Sequence, residues 1–465
     1  MVGQRVDEVR APAAPSLSEQ LAAFWARARY DDLPPDVVRA AKRFVLDTVA
    51  AGVAGARTDV VHAVLHAARA ASGAGGVMLW GRRETLAPAA AAMVNGTAAH
   101  ALELDDFGGC GHSGAVVIPA AAALATRARC SGRDFILAVV AGYDVASRVL
   151  DGSGGYRPHN ERGWHSTGTC GSFGAAAAAA KLLGASERAF THALGIAGTF
   201  TGGTWAFLDD GAMVKRFHPG KAAETGVGAA LLAEAGLSGP AHILDARWGG
   251  FYPTYAPDVS TPQAAVFDLG RAFHILRSGI KPYACCRTIH SCLDAVLELV
   301  PAGTSHDVAR MIVHGNAQTQ LQFSRTEVRS LLQAQFSMPY CLAVAAESGR
   351  ATLDQFEPLR TADAEVQRLM AVTEIRADRV LGAKDYPSLE VVYRDGTRRL
   401  LDVPLAKGAP EVPISDDELR QKAMDLLGPV LGAERADALV AGIAALERGA
   451  DTASLLRLAV PEASG

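Results

Sequence analysis

The chain has 465 residues, 49% of them hydrophobic and 20% charged, with 45 basic and 49 acidic side chains and a formal net charge of -4. That length exceeds what one core usually takes, so two domains are expected, and the near balance of charge excludes the basic footprint of a nucleic-acid binder. No run of about 18 uncharged apolar residues occurs, so no membrane span is expected, and Met1–Pro15, with Arg5, Asp7, Glu8 and Arg10 and no apolar centre, does not read as a secretory leader. Seven cysteines, an odd count that includes the adjacent Cys285 and Cys286, read as free thiols of a reducing cytoplasm. Of the 45 basic residues 37 are Arg and 8 are Lys, so a lysine in an unusual place invites a question about lysine chemistry.

Residues 16–265 read as helical throughout. Ser18 is expected to cap a helix over Glu19–Arg29, and Asp31 with Pro34-Pro35 introduces Val37–Val53, where apolar residues recur at helical spacing. Leu86–Leu104, His112–Ala128, Asp134–Leu150, Gly168–Leu183, Glu187–Ile196 and Ala222–Ala235 follow, most of them bounded by Gly or Ser-Gly. These helices are rich in Ala and Gly and apolar on most faces, which predicts close packing and burial all round. From about residue 273 the texture changes. Val308–Val313 and Thr373–Val380 alternate as strands, and Leu389–Tyr393, Arg394-Asp395-Gly396-Thr397 and Arg398–Val403 form a hairpin on an Asp-Gly turn. After Pro413 helices return at Asp416–Leu427 and Ala433–Glu447. The expected fold is mainly α. A large all-α domain spans 16–272, a smaller α+β lid domain is inserted over 273–407, and 408–460 rejoins the helical domain.

Chemistry concentrates first at His100-Ala-Leu-Glu103-Leu-Asp105-Asp106-Phe107-Gly-Gly-Cys-Gly-His112, where acids, imidazoles and helix breakers interrupt an apolar run. The histidines and acids of this stretch do not have the spacing of a metal site, no Cys-x-x-Cys occurs in the chain, and no strand or Gly-Lys-Ser/Thr marks a phosphate loop. No metal and no cofactor are therefore expected. An acid/base centre remains, set against the bland alternative of a solvated helix end with His112 as a cap. Buried beside the others, one acid could stay protonated. Arg162-Gly-Trp-His165-Ser-Thr-Gly-Thr-Cys-Gly again places a His before an apolar helix. Lys215-Arg-Phe-His218-Pro-Gly-Lys221 gathers four basic or imidazole groups just ahead of another. Lys281-Pro-Tyr-Ala-Cys-Cys-Arg287 stands at the expected domain boundary, and Gln335-Phe-Ser-Met-Pro-Tyr340 puts a phenol at a helix start. If these helix tips converge, they suit a small substrate with two or three carboxylates. Lys and Arg would bind the anionic groups, His would move protons near neutral pH, and fixed cations would stabilise charge building beside a carboxylate.

These five stretches resemble the MmgE/PrpD family, which includes 2-methylcitrate dehydratases, cis-aconitate decarboxylases and iminodisuccinate epimerases. The resemblance runs from about residue 16 to 460. It is carried by Val94-Asn-Gly-Thr-Ala-Ala-His-Ala-Leu-Glu-Leu-Asp-Asp, His112-Ser-Gly-Ala-Val, His165-Ser-Thr-Gly-Thr-Cys-Gly, Lys215-Arg-Phe-His-Pro-Gly-Lys-Ala-Ala and Lys281-Pro-Tyr, in that order. It implies a helical domain with an α+β lid, an active site between them, a homodimer, and metal-free chemistry on di- or tricarboxylates. By motif, it implies active-site positions at Glu103, Asp105, Asp106, His112, His165, Lys215, Lys281 and Tyr340. In the decarboxylase branch Asp stands in the place of Glu103 and Thr in that of Phe107, and the loop before His112 is one residue shorter here.

The expectation is a cytoplasmic, cofactor-independent lyase of the 2-methylcitrate dehydratase type. The alternatives are a decarboxylase or epimerase on a related acid, or a carboxylate-binding protein without catalysis. His112 and His165 are the expected proton carriers, in either order. Lys215 and Lys281 bind and polarise carboxylates, and Tyr340 protonates or orients. Glu103, Asp105, Asp106, Phe107, His218, Lys221 and Arg287 complete the substrate-binding set.

Overall fold

A computed structural model describes residues 14–382 and 385–462, so the N-terminal stretch read above lies outside it up to residue 13. Ser16, rather than Ser18, opens the first helix, because only Ser16 stands three residues ahead of Glu19. The Ser16 hydroxyl accepts from the Glu19 N–H while the Glu19 carboxylate accepts from the Ser16 N–H, a reciprocal cap.

Helices α1 (Leu17–Arg27), α2 (Pro35–Gly55) and α3 (Asp59–Ala71) lead to a small hairpin of β1 (Val77–Met78) and β2 (Thr85–Leu86). Then come α4 (Pro88–His100), the two-residue strand β3 (Asp106–Phe107), α5 (Gly114–Ala128), α6 (Gly132–Gly152), α7 (Tyr156–Glu161) and α8 (Ser166–Thr169). The helical body continues through α9 (Gly171–Leu182), α10 (Glu187–Thr199), α11 (Phe207–Asp210), α12 (Val214–Glu234) and α13 (Phe251–Tyr255).

Every residue of α5 from Gly114 to Ala125 is buried, as is every residue of α9 from Gly171 to Ala180. Their Ala and Gly content makes this possible, since small side chains let neighbouring helices close on all faces. One close crossing is between α4 and α12. A Cβ built on Gly220 would stand 2.3 Å from the Met93 carbonyl oxygen and 2.3 Å from Thr97 Oγ1, and one on Gly96 would meet the Gly220 Cα at 2.9 Å. This crossing fixes how far the loop after α4 lies from the first turn of α12.

Helix α12 begins at Val214, eight residues ahead of the expected Ala222. It runs through Pro219, which removes only one helical donor, opposite the Lys215 carbonyl. Lys215, His218 and Lys221 therefore sit on a helix instead of a loop. Helix α4 stops at His100 and α5 starts at Gly114, so Glu103 and His112 both lie on the connecting segment.

The chain crosses to the smaller part through β4 (Gly279–Ile280), which pairs antiparallel with β3, Asp106 opposite Ile280 and Phe107 opposite Gly279. There follow α14 (His290–Leu299), β5 (Val308–Gly315), α15 (Ala317–Phe323), α16 (Leu331–Gln335), α17 (Met338–Ser348), α18 (Ala364–Ala371), β6 (Thr373–Ala377), β7 (Ser388–Tyr393) and β8 (Arg398–Leu401). The sheet order is β6-β5-β7-β8, with β5 and β6 parallel and the other pairs antiparallel. Gly396 takes φ 88 in the β7–β8 turn, a conformation that favours glycine. Helices α19 (Asp416–Leu431) and α20 (Ala433–Ala444) return to pack on α2, and α21 (Thr452–Leu456) packs on α5. The fold is mainly α with a small α+β part, and no helix among the described residues is long and apolar enough to cross a membrane.

Gly220→Ala should destabilise the protein by about 1–3 kcal/mol through overpacking, read as a lower urea midpoint. An unchanged midpoint would mean that α4 and α12 do not cross this closely.

Candidate active site

The centre of the site is Glu103. It is buried, and it sits at φ 55, a left-handed conformation that costs a non-glycine residue about 1–3 kcal/mol. One carboxylate oxygen accepts from the Lys215 ammonium on α12. The other accepts from Lys281 Nζ at 3.2 Å, and the Glu103 backbone carbonyl accepts from the same Nζ at 3.1 Å. Burial alone would raise the Glu103 carboxyl, but the two ammoniums, Lys215 foremost, hold it well below the usual range. Burial lowers Lys215 below its ordinary value despite Glu103. Lys281, opposed by burial, is nevertheless raised by Glu103 and Asp105 together.

Asp105 holds two imidazoles. Its carboxylate takes His100 Nδ1 at 2.9 Å and His112 Nδ1 at 3.1 Å. His112 Nδ1 also lies 2.9 Å from the Asp106 carbonyl oxygen. A carbonyl can only accept, so Nδ1 carries the hydrogen and the neutral ring keeps its lone pair on Nε2. Burial would raise Asp105, but His100 and His112 hold it well below the usual range. Asp106 goes the other way. Burial, reinforced by the charge on Asp105, pushes it well above that range, although the Gly114 N–H at 3.0 Å and the Tyr143 hydroxyl at 2.9 Å both donate to it. Among three neighbouring acids, two are held below the usual carboxylate range and one is pushed above it.

His165 precedes α8, with its backbone N–H on the Gly203 carbonyl. Its Nδ1 lies 2.8 Å from His218 Nδ1, so one ring donates and the other accepts. Burial first, then His218, drives His165 well below its ordinary value, and burial with Lys215 brings His218 to about 4. Trp205 stands edge-on to His165 at 4.8 Å. Four imidazoles thus form a row, His100–His112–His165–His218, with ring centroids 4.2, 6.5 and 5.0 Å apart. His100, Asp105 and His112 could each offer one atom to a shared ion.

The structure therefore brings together Glu103, Asp105, Asp106, His112, His165, Lys215, His218 and Lys281. Phe107 and Arg287 lie against each other, with the guanidinium carbon 4.1 Å above the ring, but Arg287 donates at 2.7 Å to the Ala406 and Lys407 carbonyls. That bonding makes it a wall of the site and leaves it little capacity to grip a ligand. Lys221 is not brought in. It is exposed and paired with Glu224 at 2.7 Å. Nor is Tyr340, whose hydroxyl donates to the Gln355 carbonyl at 2.8 Å and accepts from the Arg360 N–H at 3.0 Å within the smaller part.

Several residues join the site without having been chosen from the sequence. His100 was visible in the motif, but its pairing with Asp105 spans a helix end and follows no helical spacing. Tyr156 opens α7 after Gly154 and Gly155, both at positive φ. The residue as a whole is 53% exposed, while burial at its hydroxyl end, with the Cys286 thiol next in weight, pushes the hydroxyl up to about 12 as Lys281 opposes. Arg216 donates to Gln335 Oε1 at 2.9 Å.

The profile of the MmgE/PrpD N-terminal domain matches residues 19–263, and that of the MmgE/PrpD C-terminal domain matches residues 283–448. The chain is 31% identical over 467 residues to a cis-aconitate decarboxylase-like protein, oryM, of Aspergillus oryzae, covering 92% of this chain and 94% of the relative. It is 28% identical over 459 residues to a cis-aconitate decarboxylase of Aspergillus terreus, covering 92% of each. A third relative, the cis-aconitate decarboxylase of Homo sapiens, is 34% identical over 252 residues, 52% of each chain.

The buried imidazoles predict acid sensitivity. His100, His159 and His218 are lowered to about 4, chiefly by burial, and His165 and His290 lie well below their ordinary value. In the unfolded chain each takes its proton near pH 6.5. A folded value below the unfolded one stabilises the protein above pH 6.5, and that stabilisation is lost as pH falls toward 4, at up to about 1.4 kcal/mol per pH unit for each ring. Thermal melts should show Tm falling steadily from about pH 6.5 downward. A Tm flat to pH 5 would contradict neutral burial of these rings.

Proposed function

This chain belongs to the MmgE/PrpD family, and we propose that it is a lyase acting on a small tricarboxylate, releasing carbon dioxide from a cis-aconitate-type substrate. The observation that carries the proposal is the meeting of Lys215 and Lys281, from opposite parts of the fold, on one carboxylate beside the free Nε2 of His112. Two ammoniums share one internal negative charge, so the cleft lacks an anion that a substrate carboxylate supplies.

In this reading the bond between carbon and the departing carboxylate breaks and carbon dioxide leaves. The electron pair stays on carbon and spreads into a neighbouring carboxylate held by lysine. Ammonium groups fixed in a water-poor site stabilise that charge more than solvent would. One proton must then reach carbon. His112 is the suitable carrier: its free Nε2 takes a proton from solvent before the bond breaks, Asp105 facing the ring stabilises that imidazolium, and Nε2 then hands the proton to carbon and returns to the neutral ring. His165 lies between Lys215 and His218, where a second positive charge is disfavoured, and serves as a neutral hydrogen-bonding partner. The proposal includes a homodimer working without metal, as the resemblance implies, and without a cofactor, in the reducing cytoplasm that the cysteine content suggests.

A second reading is loss of water from a 2-methylcitrate-type substrate. It is favoured by the nearness of His112 to the His165–His218 pair, since dehydration needs a base for the carbon proton and an acid for the leaving hydroxyl. Abstraction and return of a proton at one carbon, as in epimerisation of iminodisuccinate, would use the same rings.

Purified protein incubated separately with cis-aconitate, 2-methylcitrate and iminodisuccinate and followed by NMR separates these outcomes. Loss of carbon dioxide from cis-aconitate is expected. Water loss from 2-methylcitrate alone would move the assignment to the second reading, and no turnover of any of the three would contradict both. His112→Gln should lower kcat by about 100-fold or more, and Lys281→Met should lower kcat as well as kcat/KM, because the ammonium it removes stabilises charge that builds only in the transition state.

A further inference from the structure

Three consecutive carbonyls of the loop between α4 and β3 accept hydrogen bonds from side chains of the C-terminal half. Leu102 O takes Gln335 Nε2 at 2.6 Å, Glu103 O takes Lys281 Nζ at 3.1 Å, and Leu104 O takes Lys422 Nζ at 2.6 Å. The middle residue holds the left-handed φ of 55 described above, a conformation that persists only where its surroundings hold it. Two of the three donors are lysines that also form ion pairs, Lys281 with Glu103 and Lys422 with Asp47. The third, Gln335, is uncharged and completely buried.

The orientation of the Gln335 amide follows from its partners. The Leu102 carbonyl can only accept, so it faces the Nε2 donor. Arg216 can only donate, so its Nη2 faces Oε1, at 2.9 Å. The Gln335 backbone carbonyl in turn accepts from the Cys286 N–H at 3.0 Å, five residues beyond Lys281. One residue therefore ties together the turn that presents Glu103, the first turn of α12 that presents Lys215, and the segment that presents Lys281.

We propose that Gln335 is a positioning residue of the cleft: by clasping Leu102 O, Arg216 and Cys286 N it sets the turn that lets one carboxylate meet both lysines. It acts through Glu103 and touches no substrate, and the inference rests on the roles given above to Glu103, Lys215 and Lys281. The prediction is specific to the donor. Gln335→Glu keeps the shape and the acceptor for Arg216 but replaces the N–H aimed at Leu102 by a carboxylate oxygen and adds a negative charge, whereas Gln335→Met removes donor and acceptor without adding charge.

Hydrogen–deuterium exchange of residues 100–107 in the full-length protein reads the clasp independently of any turnover. Both variants should exchange at least fivefold faster there, with the remainder of the helical body unchanged. Turnover of cis-aconitate should fall at least tenfold in kcat, with KM within threefold. In Gln335→Met the alkaline limb of the rate should move to lower pH, because buried lysines that lose Glu103 give up their protons more readily. Unchanged exchange at 100–107 in both variants would overturn the proposal, as would acceleration spread evenly over the chain, which would make Gln335 a general stabilising residue only. A wild-type protein without turnover, combined with locally faster exchange in the variants, would sink the assigned reaction and support the clasp.

Discussion

One carboxylate shared between two ammonium groups governs this molecule. Neither Lys215 nor Lys281 can enter a protein interior as an ion without a partner, since desolvating an ammonium costs several kcal/mol on the order of what a whole domain has in reserve. Glu103 is that partner for both. Its position requires a left-handed turn just after α4, and that turn is held from the far side of the cleft. The approach of the helical body to the smaller part, and the close crossing of α4 and α12 at Gly96 and Gly220, both serve this arrangement.

The neighbouring acids show how environment divides chemically equivalent groups. Asp105 faces two ring nitrogens, which hold its pKa down, while burial and the charge on Asp105 push Asp106 up against the tyrosine and backbone N–H that donate to it. Asp105, with the Asp106 carbonyl, fixes the tautomer of His112 and turns its Nε2 free. The Asp106 carboxyl packs against Tyr143 and the start of α5.

Much of this was legible in the sequence, and the reasons for the rest are physical. The scarcity of lysine made Lys215 and Lys281 conspicuous, and the interruption of apolar helices by acids and imidazoles marked the loop from His100 to His112. The family resemblance tied the stretches to one site. Lys221 was grouped with Lys215 because both stand in one motif. Once the helix starts at Val214, three residues carry His218 back to nearly the face of Lys215, whereas six carry Lys221 away to solvent. Tyr340 was placed in the site because it stands at a helix start and matches the family motif; in the structure the backbone at Gln355 and Arg360 partners its hydroxyl. Gln335 stood in a quoted motif but drew no comment. Its partners lie 233 and 119 residues away in the chain, and side-chain bonds across such separations leave no local pattern to read.

The shared carboxylate can be tested most directly by thermal melting of Glu103→Gln with and without tricarballylate, a saturated tricarboxylate that cannot react as cis-aconitate does. Removing the common partner from two buried ammoniums should cost about 3–5 kcal/mol. Tm should therefore drop well below wild type in the free protein, and tricarballylate should recover more of it than it adds to wild type, because the ligand restores the missing negative charge. A Glu103→Gln protein that melts at the wild-type temperature and gains no more from tricarballylate would contradict the account.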